Sequence, residues 1–118
     1  MSDTPLEKEI QKQILAALEI AGIFCWRQNQ GTVAHAKTNR HARRFVRFTS
    51  KKGVSDIIGC LPDGKFLAIE VKRPGGKLTA DQEGFLQDVE AHGGVVVVAY
   101  CLRDVLSTLD DYMGNMAV

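Results

Sequence analysis

The chain has 118 residues, a formal net charge of +1 and 45% hydrophobic residues. These figures fit one ordinary globular domain spanning residues 1–118, and they exclude a disordered or fibrous chain. No run of about 18 apolar residues is present, so no membrane span is expected. The Met1–Pro5 segment lacks the basic and apolar regions of a secretory signal.

In chain order, Thr4-Pro5 opens a predicted helix, with Thr4 as N-cap, Pro5 at the first helical position and Glu7 placed as in a capping box. Leu6, Ile10, Ile14, Ala17, Leu18 and Ala21 form its apolar stripe, and Gly22 ends it. Glu7 and Gln11 lie one turn apart on a flank. Ile23 to Asn29 reads as a strand, whose Trp26 either packs in the core or stacks on a base.

Gln30 to Arg43 reads as a long loop, a kind of segment that tends to be functional. Phe45, Val46 and Phe48, interleaved with Arg44 and Arg47, then suggest a short strand. Charge is segregated here. No Asp or Glu occurs from Ile20 to Ser55, while Arg27, Lys37, Arg40, Arg43, Arg44, Arg47, Lys51 and Lys52 all do. A basic segment on a near-neutral protein is the footprint expected for phosphate contacts, so a nucleic acid is the expected partner. His35 and His41 have no cysteine at ligand spacing and read as surface or phosphate neighbours rather than zinc ligands.

The centre of the chain is a predicted hairpin. Gly53 to Gly59 and Phe66 to Lys72 flank a Pro62-Asp63-Gly64-Lys65 turn. Side chains two apart on a strand share a face, so Glu70 and Lys72 project together and Val71 points away. Pairing of the two strands brings Asp56 to the same end. Two carboxylates and an ammonium in an apolar run need partners or a metal. Mg²⁺ or Mn²⁺ suits such oxygen donors, with Asp56 and Glu70 as ligands and the Val71 carbonyl as a third. Lys72 would orient a water or stabilise charge on phosphoryl oxygens. The plainer reading is a solvated Glu/Lys surface pair.

Arg73-Pro74-Gly75-Gly76 breaks the sheet, and Lys77 is placed to touch phosphate. Thr79 caps the next helix, with Gln82 completing a capping box and Phe85, Leu86 and Val89 on the apolar face. His92-Gly93-Gly94 ends it. Val95 to Tyr100 is a continuous β-branched run typical of a strand covered on both faces. Leu102 to Met113 reads as a last helix, whose apolar surplus is available for a dimer. Cys25, Cys60 and Cys101 are odd in number, with no C-x-x-C; they argue against a disulfide frame or zinc site and read as small core residues in a reducing, intracellular compartment.

Ser55-Asp56 followed by Glu70-Val71-Lys72 resembles the PD-(D/E)xK nuclease signature, and the chain from about Glu7 to Tyr100 resembles the stand-alone VRR-NUC domain. Four further features carry this likeness: Glu7-x-x-x-Gln11, Gly53-x-x-Asp56-Ile57-Ile58-Gly59, Leu78-Thr79-x-x-Gln82, and Gly93-Gly94 before the valine run. One departure is Ser55, where the pattern has proline; that position shapes the backbone and supplies no ligand. The resemblance implies a metal-dependent DNA endonuclease, with Glu7 as a distal acid of the metal site (Glu9 being its competitor) and Gln82 aimed at the scissile phosphate or water. It also implies a homodimer acting on Holliday junctions or other branched DNA, in the cytoplasm of a bacterial or phage-infected cell.

The order helix, strands, helix, strand, helix predicts an α/β three-layer sandwich, a mixed central sheet with helices on both faces, as in the restriction-endonuclease-like core. Two other function classes stand beside the nuclease: a non-catalytic DNA-binding module that keeps the fold, and a subunit that needs partners for specificity.

Overall fold

The protein is described by a computed structural model covering residues 5–28 and 51–116. Helix α1 (Pro5–Ile20) leads into strand β1 (Phe24–Arg27). After residue 51 come β2 (Ile57–Cys60), β3 (Phe66–Val71), α2 (Ala80–Ala91), β4 (Val95–Ala99) and α3 (Leu102–Met116). The expected Thr4 cap, the strand around Phe45 and Phe48, and Arg40, Arg43, Arg44, Arg47, His35 and His41 lie outside the described residues.

The four strands form one mixed sheet in the order β1-β2-β3-β4. The first two pairings are antiparallel, and β3 pairs with β4 in parallel. The parallel pair follows from the α2 crossover, because parallel neighbours need a long connection. The β2–β3 hairpin closes on the expected turn, with Cys60 opposite Phe66. Gly64 takes φ +94° there, and Asp63 Oδ1 accepts from the Lys65 amide at 3.1 Å. Tyr112 of α3 donates its hydroxyl to the other Asp63 oxygen at 2.6 Å, so the last helix also holds the turn.

Strand alternation splits the apolar residues into two cores. Ile57, Leu67, Ile69, Val71, Val97 and Ala99 face α1 and α3, where Ile10, Ile14, Leu18, Val105 and Leu109 are buried. Ile58 and Ala68 face α2 through Leu86, with Val96 and Val98 beside them. The chain is therefore the three-layer α/β sandwich that the element order predicts, and β4 is covered on both faces although it stands at an edge. No helix among the described residues is long and apolar enough to cross a membrane.

Expectations change in three places. The cysteines are not fully buried: Cys25 is half-buried and packs against the core under α1 and α3, Cys60 is half-buried, and Cys101 is exposed just before α3. Of the two readings of Trp26, the core is not where it lies: it is 42% exposed, since β1 is at the edge of the four described strands and α2 lies over the other end of the sheet. The last helix also runs past Met113 to Met116.

Candidate active site

Glu70 is the centre of the site. Its position in β3 puts it on the α2 face, in register with Val98 of β4. Its neighbours in the chain, Ile69 and Val71, point into the opposite core. With sheet on both sides and α2 above, Glu70 is only 2% exposed. Ionising a carboxyl in such a place is costly. Burial, then the nearby Asp56 carboxylate, push its pKa up to about 8, against a smaller downward pull from Lys72.

Asp56 enters from the start of β2 and is also buried. Its Oδ2 accepts from the Val71 amide at 2.9 Å, across the hairpin. That bond fixes the carboxylate beside the Glu70-Val71-Lys72 backbone. The loop leading to it depends on Gly53, which has φ +75°; a Cβ there would lie 2.1 Å from the Asp81 carbonyl oxygen in the first turn of α2. Ser55, at the position of the absent proline, is fully buried with its Oγ unbonded.

Besides Asp56, two groups converge on Glu70. Gln82 Nε2 donates to its Oε2 at 2.9 Å. The other end of the same amide, Oε1, accepts from the Thr79 amide at 2.9 Å, while Thr79 Oγ1 accepts from the Gln82 amide at 3.1 Å. One side chain therefore completes the capping box of α2 and holds the carboxylate. Lys72 Nζ lies 3.9 Å from Glu70 Oε2, and its side chain is 14% exposed. This is a partly buried pair rather than a solvated surface contact. Glu70 Oε1 is buried and has no hydrogen-bond partner.

The structure does not gather Glu7 with Asp56 and Glu70. Among the described residues no group of three or more His, Cys, Asp or Glu is placed to hold a metal. Glu7 Oε2 instead accepts from the Arg73 amide at 3.2 Å, just beyond Lys72. Glu9 is exposed, and Gln11 is buried with its Oε1 unbonded. Lys51 and Lys52 are exposed beside the first turns of α2, next to Ala80, Asp81 and Gly84. Lys77 is exposed on the loop between β3 and α2. Gln28 escaped the sequence reading. Its amide donates to the Asp56 carbonyl at 2.7 Å, and nothing local in the sequence marks a glutamine that owes its place to strand pairing.

A divalent cation fits these residues. Two acidic side chains lie close enough for one to push the other's pKa up to about 8, and that carboxyl has a buried oxygen facing no N–H donor. Oxygen-only donors of this kind suit Mg²⁺ or Mn²⁺.

A family model for the VRR-NUC domain matches residues 6–101. A solved structure described as a VRR_NUC domain protein is 20% identical in sequence, with a TM-score of 0.65 over 92% of this chain and 88% of that one. The likeness to that structure is one of fold. No curated protein matches the chain.

Proposed function

Because the chain belongs to the VRR-NUC domain family, a nuclease-type family, we propose that it is a Mg²⁺- or Mn²⁺-dependent, structure-specific DNA endonuclease. The observation that carries this reading is the buried Glu70 carboxyl, set against Asp56 with one oxygen facing no N–H donor, while Gln82 and Lys72 meet at its other oxygen. A purely structural carboxyl would be satisfied on both oxygens or replaced by an apolar residue.

In this reading Asp56 and Glu70 bind the metal, with the Val71 carbonyl as a further ligand. A cation held there would supply positive charge against the phosphoryl oxygens and would lower the pKa of a nearby water. Asp56 is oriented by the Val71 amide and Glu70 by the Gln82 amide, so neither carboxylate has to be ordered when the metal arrives. Lys72 is a catalytic residue that holds the attacking water or the charge developing on the phosphoryl group. Glu7 supports the site as its distal acid, its Oε2 also accepting from the Arg73 amide just beyond Lys72.

Arg40, Arg43, Arg44, Arg47, Lys51, Lys52 and Lys77 bind the DNA backbone. A homodimer presents two sites to two strands, as resolution of a Holliday junction or another branched DNA requires. The workplace is the cytoplasm.

The test is cleavage of labelled four-way junction, flap, single strand and linear duplex with Mg²⁺, Mn²⁺ or EDTA, by wild type and Lys72→Ala. Symmetric paired nicks in the junction that need both metal and Lys72 are expected. Cleavage of every substrate alike would leave a nuclease without junction preference. Binding without cleavage in any metal would overturn the enzyme reading and favour a DNA-binding module.

A further inference from the structure

Among the described residues, the face of the sheet that carries Glu70 is not wholly covered. Trp26 pairs with Ile58, and Ile58 with Ala68, so these three stand in one row on the α2 side. Phe24, Cys60 and Phe66 form the next row on the same face. Helix α2 packs against β3 and β4. Beyond it Phe24 is 68%, Trp26 42% and Phe66 41% exposed. Phe24 and Trp26 touch, with ring centroids 5.3 Å apart and planes tilted by 53°. On the other side of Trp26 lies Gln28, beside Asp56. The indole Nε1–H donates to Gln28 Oε1 at 2.8 Å, which fixes the ring next to the row that carries the carboxylates.

We propose that Trp26, braced by Phe24 and Gln28, is a stacking platform for an unpaired base of the DNA strand whose phosphate lies at Asp56 and Glu70. The proposal rests on the nuclease reading for the identity of the strand. Strand spacing and rise put Trp26 roughly 12 Å from Glu70 along the sheet, a distance spanned by a few nucleotides. An exposed aromatic on a sheet face accepts any base, because every base has a π-face.

Charge selects this occupant over a protein. The aromatics of β1 belong to the stretch from Ile20 to Ser55, which has no acid and eight Lys or Arg. Apolar rings within cationic sequence suit a polyanion carrying flat bases. The platform would let the enzyme favour junctions, flaps and single strands, where bases are unstacked, over continuous duplex.

Trp26 is the sole tryptophan, so its emission reports on this site alone. In EDTA, with no cleavage, a thymidine oligonucleotide or a flap should quench it, and a linear duplex should do so much less. Trp26→Ala should weaken anisotropy-measured binding of the flap about 10-fold, with little effect on duplex. Trp26→Phe should keep most of the affinity, which separates stacking from a folding defect. With metal, the alanine variant should raise KM and spare kcat.

Binding without any change in emission, or equal affinities of wild type and Trp26→Ala, would overturn the platform and leave the nuclease reading intact. Failure of any oligonucleotide to bind would also overturn it, as would emission that shifts with protein concentration, the mark of a second copy on this face. Quenching by the flap with no cleavage in any metal would support the platform and defeat the enzyme reading alone.

Discussion

Replacing Glu70 by glutamine should stabilise the metal-free protein while removing its response to divalent cations. The folded-state pKa of Glu70 is raised from 4.5 to about 8, by burial first and Asp56 second. A raised carboxyl pKa means the folded state prefers the protonated form. Its stabilising contribution is complete below about pH 4.5 and is lost progressively as pH rises to about 8. Each pH unit inside that window costs about 1.4 kcal/mol, so at pH 7 the wild type has given up about 3 kcal/mol.

Glutamine has nearly the same shape and does not titrate, and its carbonyl oxygen still accepts from Gln82 Nε2. The difference in unfolding free energy between variant and wild type should therefore be small at pH 5. It should grow towards about 3 kcal/mol at pH 7 in EDTA. Other titrating groups largely cancel in this difference. Urea denaturation of both proteins across pH 5 to 8.5 measures it. Added Mg²⁺ should recover the wild type, because the cation binds the ionised form and stabilises by mass action, more so at higher pH. It should leave Glu70→Gln unmoved. Parallel stability curves, or equal gains from Mg²⁺ in both proteins, would refute both the buried carboxyl pair and its assignment to a metal.

Three other perturbations address the supports of the site. Gly53→Ala, which combines a positive φ with a Cβ driven into the Asp81 backbone, should destabilise the protein by more than about 2 kcal/mol in urea; a neutral result would mean that α2 does not pin this loop. Thr79→Ala and Gln82→Ala should each lower stability by about 1 kcal/mol through the shared cap. Only Gln82→Ala should also slow cleavage, and equal kcat values would reduce Gln82 to a cap. Lys72→Ala should cut kcat by about 10²-fold or more while DNA binding measured in EDTA persists; unchanged turnover would remove Lys72 from the chemistry.

Much of the fold was legible because its signals are local. Gly22, the Pro62–Lys65 turn and the Thr79–Gln82 box act within a few residues, and the β-branched run before Tyr100 needs no distant partner to read as a strand. Strand alternation alone put Glu70 and Lys72 on one face and Val71 on the other. The hairpin brought Asp56 within reach, although its bond to the Val71 amide needed the actual register. For Glu7 the resemblance implied a distal acid, whereas its bond to the Arg73 amide, 66 residues away, needed the folded chain to be seen.

The sequence by itself determined the order of elements, the hairpin and the residue types at its end. It could not determine what covers them. Glu70 is buried because α2 crosses β3 and β4, and Trp26 is exposed because the same helix stops short of β1. Neither outcome is written near the residue concerned. Burial, and with it the raised pKa of Glu70 and the open aromatic face, depends on elements distant in the chain, so only the tertiary structure decided them.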